Sequence, residues 1–177
     1  MSNIVYIAVS LDGFIADKND GLEWLESVPN PEGLDLGYNA FIESIDALVM
    51  GRNTFEKVIS FDCEWPYSKP VMVLSNSLKQ LPEGFTGDVR LINGELTSLV
   101  NQLNQQGFNN LYIDGGLTIQ QFLVQDLIDE LILTRFPMLL GGGAPLFGDL
   151  PNIKRFKHHK TTVLLDQLVQ SHYVREP

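Results

Sequence analysis

One cysteine, Cys63, stands in the whole chain, so no intramolecular disulfide can form, and nothing points to a secreted, cross-linked scaffold. Positive charge is also scarce. Twelve Lys and Arg face 22 Asp and Glu, for a formal net charge of -10, and a field of that sign repels nucleic acid and anionic membrane surfaces. There are three histidines. His158 and His159 are neighbours, which on a strand sends them to opposite faces, and no Cys/His spacing elsewhere suits a metal, so none is expected. No apolar run reaches the about 20 residues of a membrane span, and the first residues lack the basic and long apolar regions of a signal peptide. A cytoplasmic protein without membrane or nucleic-acid partners is therefore expected. Repeats, low-complexity tracts and linkers are absent too, which leaves residues 1–177 as one domain.

The chain does have an ordinary globular composition, 44% hydrophobic and 19% charged over 177 residues, enough to bury a single core. Its most informative stretch runs from Leu111 through Asp114-Gly115-Gly116-Leu117-Thr118-Ile119 to Leu123, an apolar strand that breaks on a Gly pair into a helix. Adjacent glycines let the backbone turn sharply and leave no Cβ between it and a ligand. The helix then aims free N–H groups and its positive dipole end into the gap, which suits a phosphate. Upstream, the strand at 47–50 ends in Gly51-Arg52-Asn53-Thr54, and the one at 70–74 ends in Ser75-Asn76-Ser77. Anion-binding turns in this number point to one extended, multiply phosphorylated ligand, most economically a nucleotide cofactor.

Residues 3–9 read as a central strand followed by the Ser10-Leu11-Asp12-Gly13 turn, and residues 17–21 as a loop dense in turn formers. Trp24 lies in a short helical turn and is a candidate to line a pocket. Residues 34–45 show apolar positions at helical spacing with Asp35 in the first turn. A second helix reaches about residue 59. Residues 89–92 read as a strand, 95–105 as an amphipathic helix, and 127–140 as a strongly apolar strand broken by Pro137 and closed by three glycines. Residues 153–175 look like an antiparallel hairpin bending near Gln167. Strand-helix alternation followed by a hairpin predicts an α/β fold in three layers, with a mostly parallel mixed sheet, helices on both faces and an antiparallel edge. Ligands then bind at the carboxyl ends of the strands, where all the polar turns lie.

The turns at Gly51-Arg52-Asn53-Thr54, Ser75-Asn76-Ser77 and Gly115-Gly116-Leu117-Thr118-Ile119 resemble, in order and position, the cofactor-binding segments of the dihydrofolate reductase-like fold. Ala8 and Ile15 resemble that family's nicotinamide-side strand and loop. Dihydrofolate reductases usually carry three glycines at the pyrophosphate turn. Asp114 takes the first of those places here, and together with Pro137-Met138-Leu139-Leu140-Gly141-Gly142-Gly143-Ala144-Pro145-Leu146-Phe147 it is similar to the reductase domain of riboflavin biosynthesis in its stand-alone form, without an attached deaminase. The resemblance implies an NADPH-dependent reductase that passes a hydride to a pyrimidine- or pterin-like substrate, such as a ribosylaminopyrimidine, and a homodimer. The dimer is also suggested by the apolar run at 131–140, if part of it is an edge. Dihydrofolate is expected to be a poor substrate. Dihydrofolate reduction and a non-catalytic nucleotide-binding role are the alternatives.

Two carboxylates are candidates for the catalytic acid. Asp35 stands 16 residues before Gly51, the separation at which dihydrofolate reductases place their substrate-binding carboxylate; Asp114 belongs to the riboflavin-type turn. Capping or orienting backbone is open to each. Arg52, the only arginine at these turns, is the candidate reader of the 2′-phosphate that separates NADPH from NADH, with a surface salt bridge as the alternative.

Overall fold

The computed structural model describes residues 1–176. Its main sheet has eight strands. Following the chain, these are β1 (Ser2–Ser10), β3 (Ala47–Gly51), β4 (Val71–Leu74), β5 (Val89–Ile92), β6 (Asn110–Asp114), β7 (Glu130–Phe136), β9 (Phe156–Leu164) and β10 (Leu168–Arg175). Two short segments, β2 (Phe14–Ala16) and β8 (Ala144–Pro145), pair separately. The helices are α1 (Tyr38–Ser44), α2 (Arg52–Ile59), α3 (Leu96–Gln105) and α4 (Gly116–Val124).

Across the sheet the order is β5-β4-β3-β6-β1-β7-β10-β9. The first six strands run parallel, β10 pairs antiparallel with β7, and β9 pairs antiparallel with β10. Strand alternation explains why both faces are covered. Leu48 and Met50 of β3 point to one side, where Phe41 of α1 and Phe55 of α2 pack on Val71, Val73 and Tyr112. Ala47 and Val49 point to the other, where Leu96, Val100 and Leu103 of α3 and Ile119 and Phe122 of α4 pack on Val5, Met72 and Ile113. This period-two division makes three layers. Because β6 returns between β3 and β1, successive connections diverge there, and the carboxyl ends of β3, β6 and β1 open on a crevice.

Three expected elements differ in extent. The helix expected over 34–45 begins only at Tyr38, because Leu36 and Gly37 take φ of 56° and 88° and break the helical path. The strand expected over 127–140 is confined to β7. It lies between β1 and β10 with Leu131, Leu133 and Phe136 buried, so the edge on which the sequence argument for a dimer leaned is not at this strand. The hairpin is present, and its three-residue connection, 165–167, reverses at Leu165 and Asp166, both at positive φ (50° and 57°), with the Gln167 N–H donating to the Leu164 carbonyl at 3.1 Å. The β2–β8 pair was not foreseen. Any Cβ at Gly143 would collide with the Ala16 carbonyl, so the glycine run is what lets the two segments close on each other.

Candidate active site

The crevice holds one cleft of about 1000 Å³, a size that suits a cofactor or drug-sized ligand. Two strand-to-helix turns interlock along it. Gly115, with φ 89° and ψ 131°, passes so close to Thr54 that a Cβ would strike Thr54 Oγ1, and a Cβ on Gly51 would lie 2.8 Å from Thr118 Oγ1. Thr54 and Thr118 thus each fill the space the other turn's glycine leaves. At the start of α4 the first intrahelical bond is made by the Ile119 N–H to the Gly115 carbonyl at 2.9 Å. The N–H groups of Gly116, Leu117 and Thr118 come before it and are the donors such a helix start offers an anion.

Most of the residues expected to hold a cofactor line this cleft: Ala8, Ile15, Gly51, Arg52, Asn53, Thr54, Ser75, Asn76, Gly115, Gly116, Leu117 and Thr118. Ser77 does not line it but accepts a bond from Arg52 Nη1 at 2.9 Å, which sets the guanidinium beside the β4 turn. The salt bridge weighed against a phosphate role is also present, since Arg52 Nε lies 3.4 Å from Glu56 Oε1. Both partners are about half exposed, 44% and 50%, so this pair contributes little and is readily exchanged for a ligand. Ile119, also expected there, stands apart from the lining residues. Its side chain is fully buried in the core and its N–H is spent within α4, so it does not face a ligand.

The two carboxylates separate cleanly. Asp114 ends β6 on the cleft wall. Burial pushes its carboxyl up to about 6, against the opposing effect of the Gly115 N–H, which donates to it at 2.9 Å. Tyr67 lines the cleft as well, and its hydroxyl is pushed up by burial and then by the Asp114 charge. Asp35 lies outside the cleft lining and is exposed. Its carboxylate accepts the N–H of Asn39 at 2.9 Å and of Gly37 at 3.2 Å, bonds that hold it below the usual carboxylate range. The late start of α1 leaves Asp35 in the preceding turn as a cap. Trp24 also lies outside the lining: it is buried against Phe136, ring centroids 5.1 Å apart, in a separate apolar cluster with Val28 and Leu168.

Several lining residues carry no local sequence signal. Asp20, Lys57, Tyr67 and Glu95 reach the cleft from loops and helix positions distant in the chain. Glu95 caps α3, accepting the N–H groups of Ser98 at 2.8 Å and Thr97 at 2.9 Å, which together draw it down to about 2. Lys79, next to the cleft, places Nζ 2.9 Å from the Asn76 carbonyl.

The family model for the RibD C-terminal domain matches residues 3–169. YwjB of Bacillus subtilis, itself uncharacterized, is 37% identical over 175 residues, 97% of each chain. A crystal structure from Shewanella sp. PV-4, of a protein provisionally assigned to riboflavin biosynthesis, matches with a TM-score of 0.98 and 56% identity over 100% of both chains. Two more distant structures share the fold. One is the diaminohydroxyphosphoribosylaminopyrimidine deaminase/5-amino-6-(5-phosphoribosylamino)uracil reductase of Thermotoga maritima, with a TM-score of 0.71 and 16% identity over 98% of this chain and 56% of that one. The other is the dihydrofolate reductase of Enterococcus faecalis with NADP(H), with a TM-score of 0.62 and 15% identity over 99% and 97%. The dihydrofolate reductase-like fold expected from the ordered turns is the fold observed.

Proposed function

We propose that this chain, which belongs to the RibD C-terminal domain family, is an NADPH-dependent reductase that delivers a hydride to a pyrimidine- or pterin-like ring. The observation that carries the reading is the interlock of the Gly51 and Gly115 turns at the ends of adjacent strands β3 and β6, with Asp114 beside them in the same cleft. The cleft fits such a cofactor. The glycines keep its wall free of side chains where a pyrophosphate would approach, and the first N–H groups of α4 supply donors. Arg52 and the hydroxyls of Ser75 and Ser77 stand at the next strand end, suited to a 2′-phosphate.

The bound cofactor would supply the hydride. The chain supplies the rest. Ala8 and Ile15 form an apolar flank against which a flat ring can lie. Asp114, held near 6 by burial, keeps a fraction of protonated carboxyl at neutral pH and can give one proton to a ring nitrogen as the neighbouring carbon is reduced. Deprotonated Asp114 instead accepts an N–H from an aminopyrimidine edge, so the same group serves to orient the ring.

The test is NADPH consumption by purified protein with a panel of reducible pyrimidines and pterins, dihydrofolate among them. Turnover of at least one ring, with dihydrofolate poor, is expected. Cofactor binding without turnover of any ring would favour the non-catalytic nucleotide-binding alternative, and robust dihydrofolate reduction with antifolate inhibition would move the chain to the dihydrofolate reductase branch.

A further inference from the structure

Charge is distributed unevenly along the cleft. Among the described residues the cations lining it are Arg52 and Lys57, while the acids are Asp20, Glu95 and Asp114. Arg52 is engaged at the β4 turn through Ser77, and Lys79 stands beside the same turn through the Asn76 carbonyl. Both are therefore at the end assigned to the cofactor, whose pyrophosphate and 2′-phosphate together carry several negative charges. Lys57 is not free either. Its ammonium lies 2.9 Å from the Asp20 carboxylate and also donates to the Asp20 carbonyl, although Asp20 is 37 residues away in the chain. The ammonium is the drier partner, with its side chain 31% exposed against 75% for Asp20, and its two bonds to Asp20, through carboxylate and carbonyl, hold it more firmly than the single 3.4 Å contact of Arg52 with Glu56. The rest of the lining is uncharged, apolar at Ile15, Leu22, Leu25, Val58 and Phe61 and polar at Gln120, Gln121 and Gln125.

A phosphate ester on the substrate would thus enter a cleft whose cations are already committed, in a chain of net charge -10. Phosphate recognition depends on charge-assisted donors, and a dianion without them is opposed by the field of the lining acids. We infer that the substrate is an uncharged planar heterocycle carrying no phosphate group, bound between the apolar wall and Asp114. The inference rests on the reductase reading above and narrows it, because it parts this chain from reductases whose substrate is a phosphoribosylaminopyrimidine. The Asp20–Lys57 pair is the specificity element: it neutralises the one lysine that could otherwise meet a phosphate.

Calorimetric titration of NADP⁺-saturated protein tests this with two matched pairs: 5-amino-6-(5-phosphoribosylamino)uracil with its dephosphorylated counterpart, and neopterin monophosphate with neopterin. At least one unphosphorylated member is expected to bind, about tenfold or more tighter than its phosphate ester, the factor that one unmet charge-assisted contact is worth. Asp20→Asn, which removes the negative charge paired with Lys57 while leaving the backbone carbonyl bond in place, is expected to narrow that gap. Equal or tighter binding of a phosphate ester overturns the inference and leaves the reductase reading standing, as does a gap that Asp20→Asn leaves unchanged. Failure of every ring to bind the cofactor-loaded protein also overturns it. Failure of the protein to take up NADP⁺ contradicts the reductase reading instead, because the cofactor site is then wrong.

Discussion

At the scale of single residues, the two candidate carboxylates stand in different places. Asp114 faces the cleft with a carboxyl raised to about 6, and Asp35 caps a turn outside it. Asp114→Asn is therefore expected to lower turnover by about a hundredfold or more, the low end of the range of general acid catalysis, while Asp35→Asn leaves it nearly unchanged. Steady-state kinetics on both variants, with whichever ring proves to be turned over, checks this. The pH dependence has a definite sign. An acid whose value is raised on folding, here from 3.8 to about 6, leaves the fold fully stable below about 4 and takes stability away as pH rises through about 6. The full difference is worth at most about 3 kcal/mol. Asp114→Asn should thus melt higher than the parent protein at pH 8 and lose that advantage at pH 4, as thermal denaturation at the two values would show. A lower melting temperature at pH 8 would mean that ionised Asp114 is stabilised by its surroundings. The acid's place in the turn was legible because it directly precedes a Gly pair at the end of an apolar run. The 16-residue spacing that favoured Asp35 was not a guide, since the positive φ of Leu36 and Gly37 delays α1 and turns the carboxylate back on its own backbone.

At the scale of elements, strands ending in polar or glycine turns were readable from apolar runs followed by turn residues, the Gly51 and Gly115 turns passing into helices, and their order gave a parallel sheet with helices on both faces. The β2–β8 pair was not readable, because a three-residue and a two-residue segment leave no periodicity. The position of β7 was not readable either: an apolar strand looks the same whether it is central or exposed. The lysine and acids of the Asp20, Lys57 and Glu95 set were missed because long-range packing brings them to the cleft. The interlocked turns make their own prediction. Gly115→Ala places a Cβ against Thr54 at φ 89° and ψ 131°, a conformation essentially reserved for glycine. It should cost more than the about 1–3 kcal/mol of backbone strain alone and weaken the cofactor site. Gly13→Ala is the control, with φ also 89° but nothing within 4 Å of the added atom. Thermal denaturation should show Gly115→Ala as the more damaging of the two. Equal losses would mean that the packing of the two turns contributes nothing.

At the scale of the whole molecule, the homodimer stands as a proposal from the family resemblance rather than from β7, which is internal. The most exposed apolar side chains within the described fold lie outside β7 and are scattered, among them Ile153 at 89%, Leu139 at 71%, Leu117 at 65% and Val163 at 60%. Light scattering at micromolar concentration is expected to give twice the 19.8 kDa of one chain, and a single-chain mass would contradict the dimer. No helix among the described residues is long and apolar enough to cross a membrane. The net charge of -10 makes any anion site a local arrangement of donors working against the overall field, which is why so much weight falls on Arg52 and the glycine turns.

That arrangement also supplies the most direct test of the central claim, that the cleft is an NADPH site. Titrating the protein with NADPH and NADH, as parent and as Arg52→Ala, asks whether the guanidinium beside Ser77 reads the 2′-phosphate. The parent is expected to bind NADPH well above NADH. Arg52→Ala should lose roughly ten- to a hundredfold in NADPH affinity, about 1.5–3 kcal/mol for a charge-assisted bond, with NADH nearly unaffected. Binding of neither cofactor by the parent, or an equal effect of the substitution on both, would contradict it.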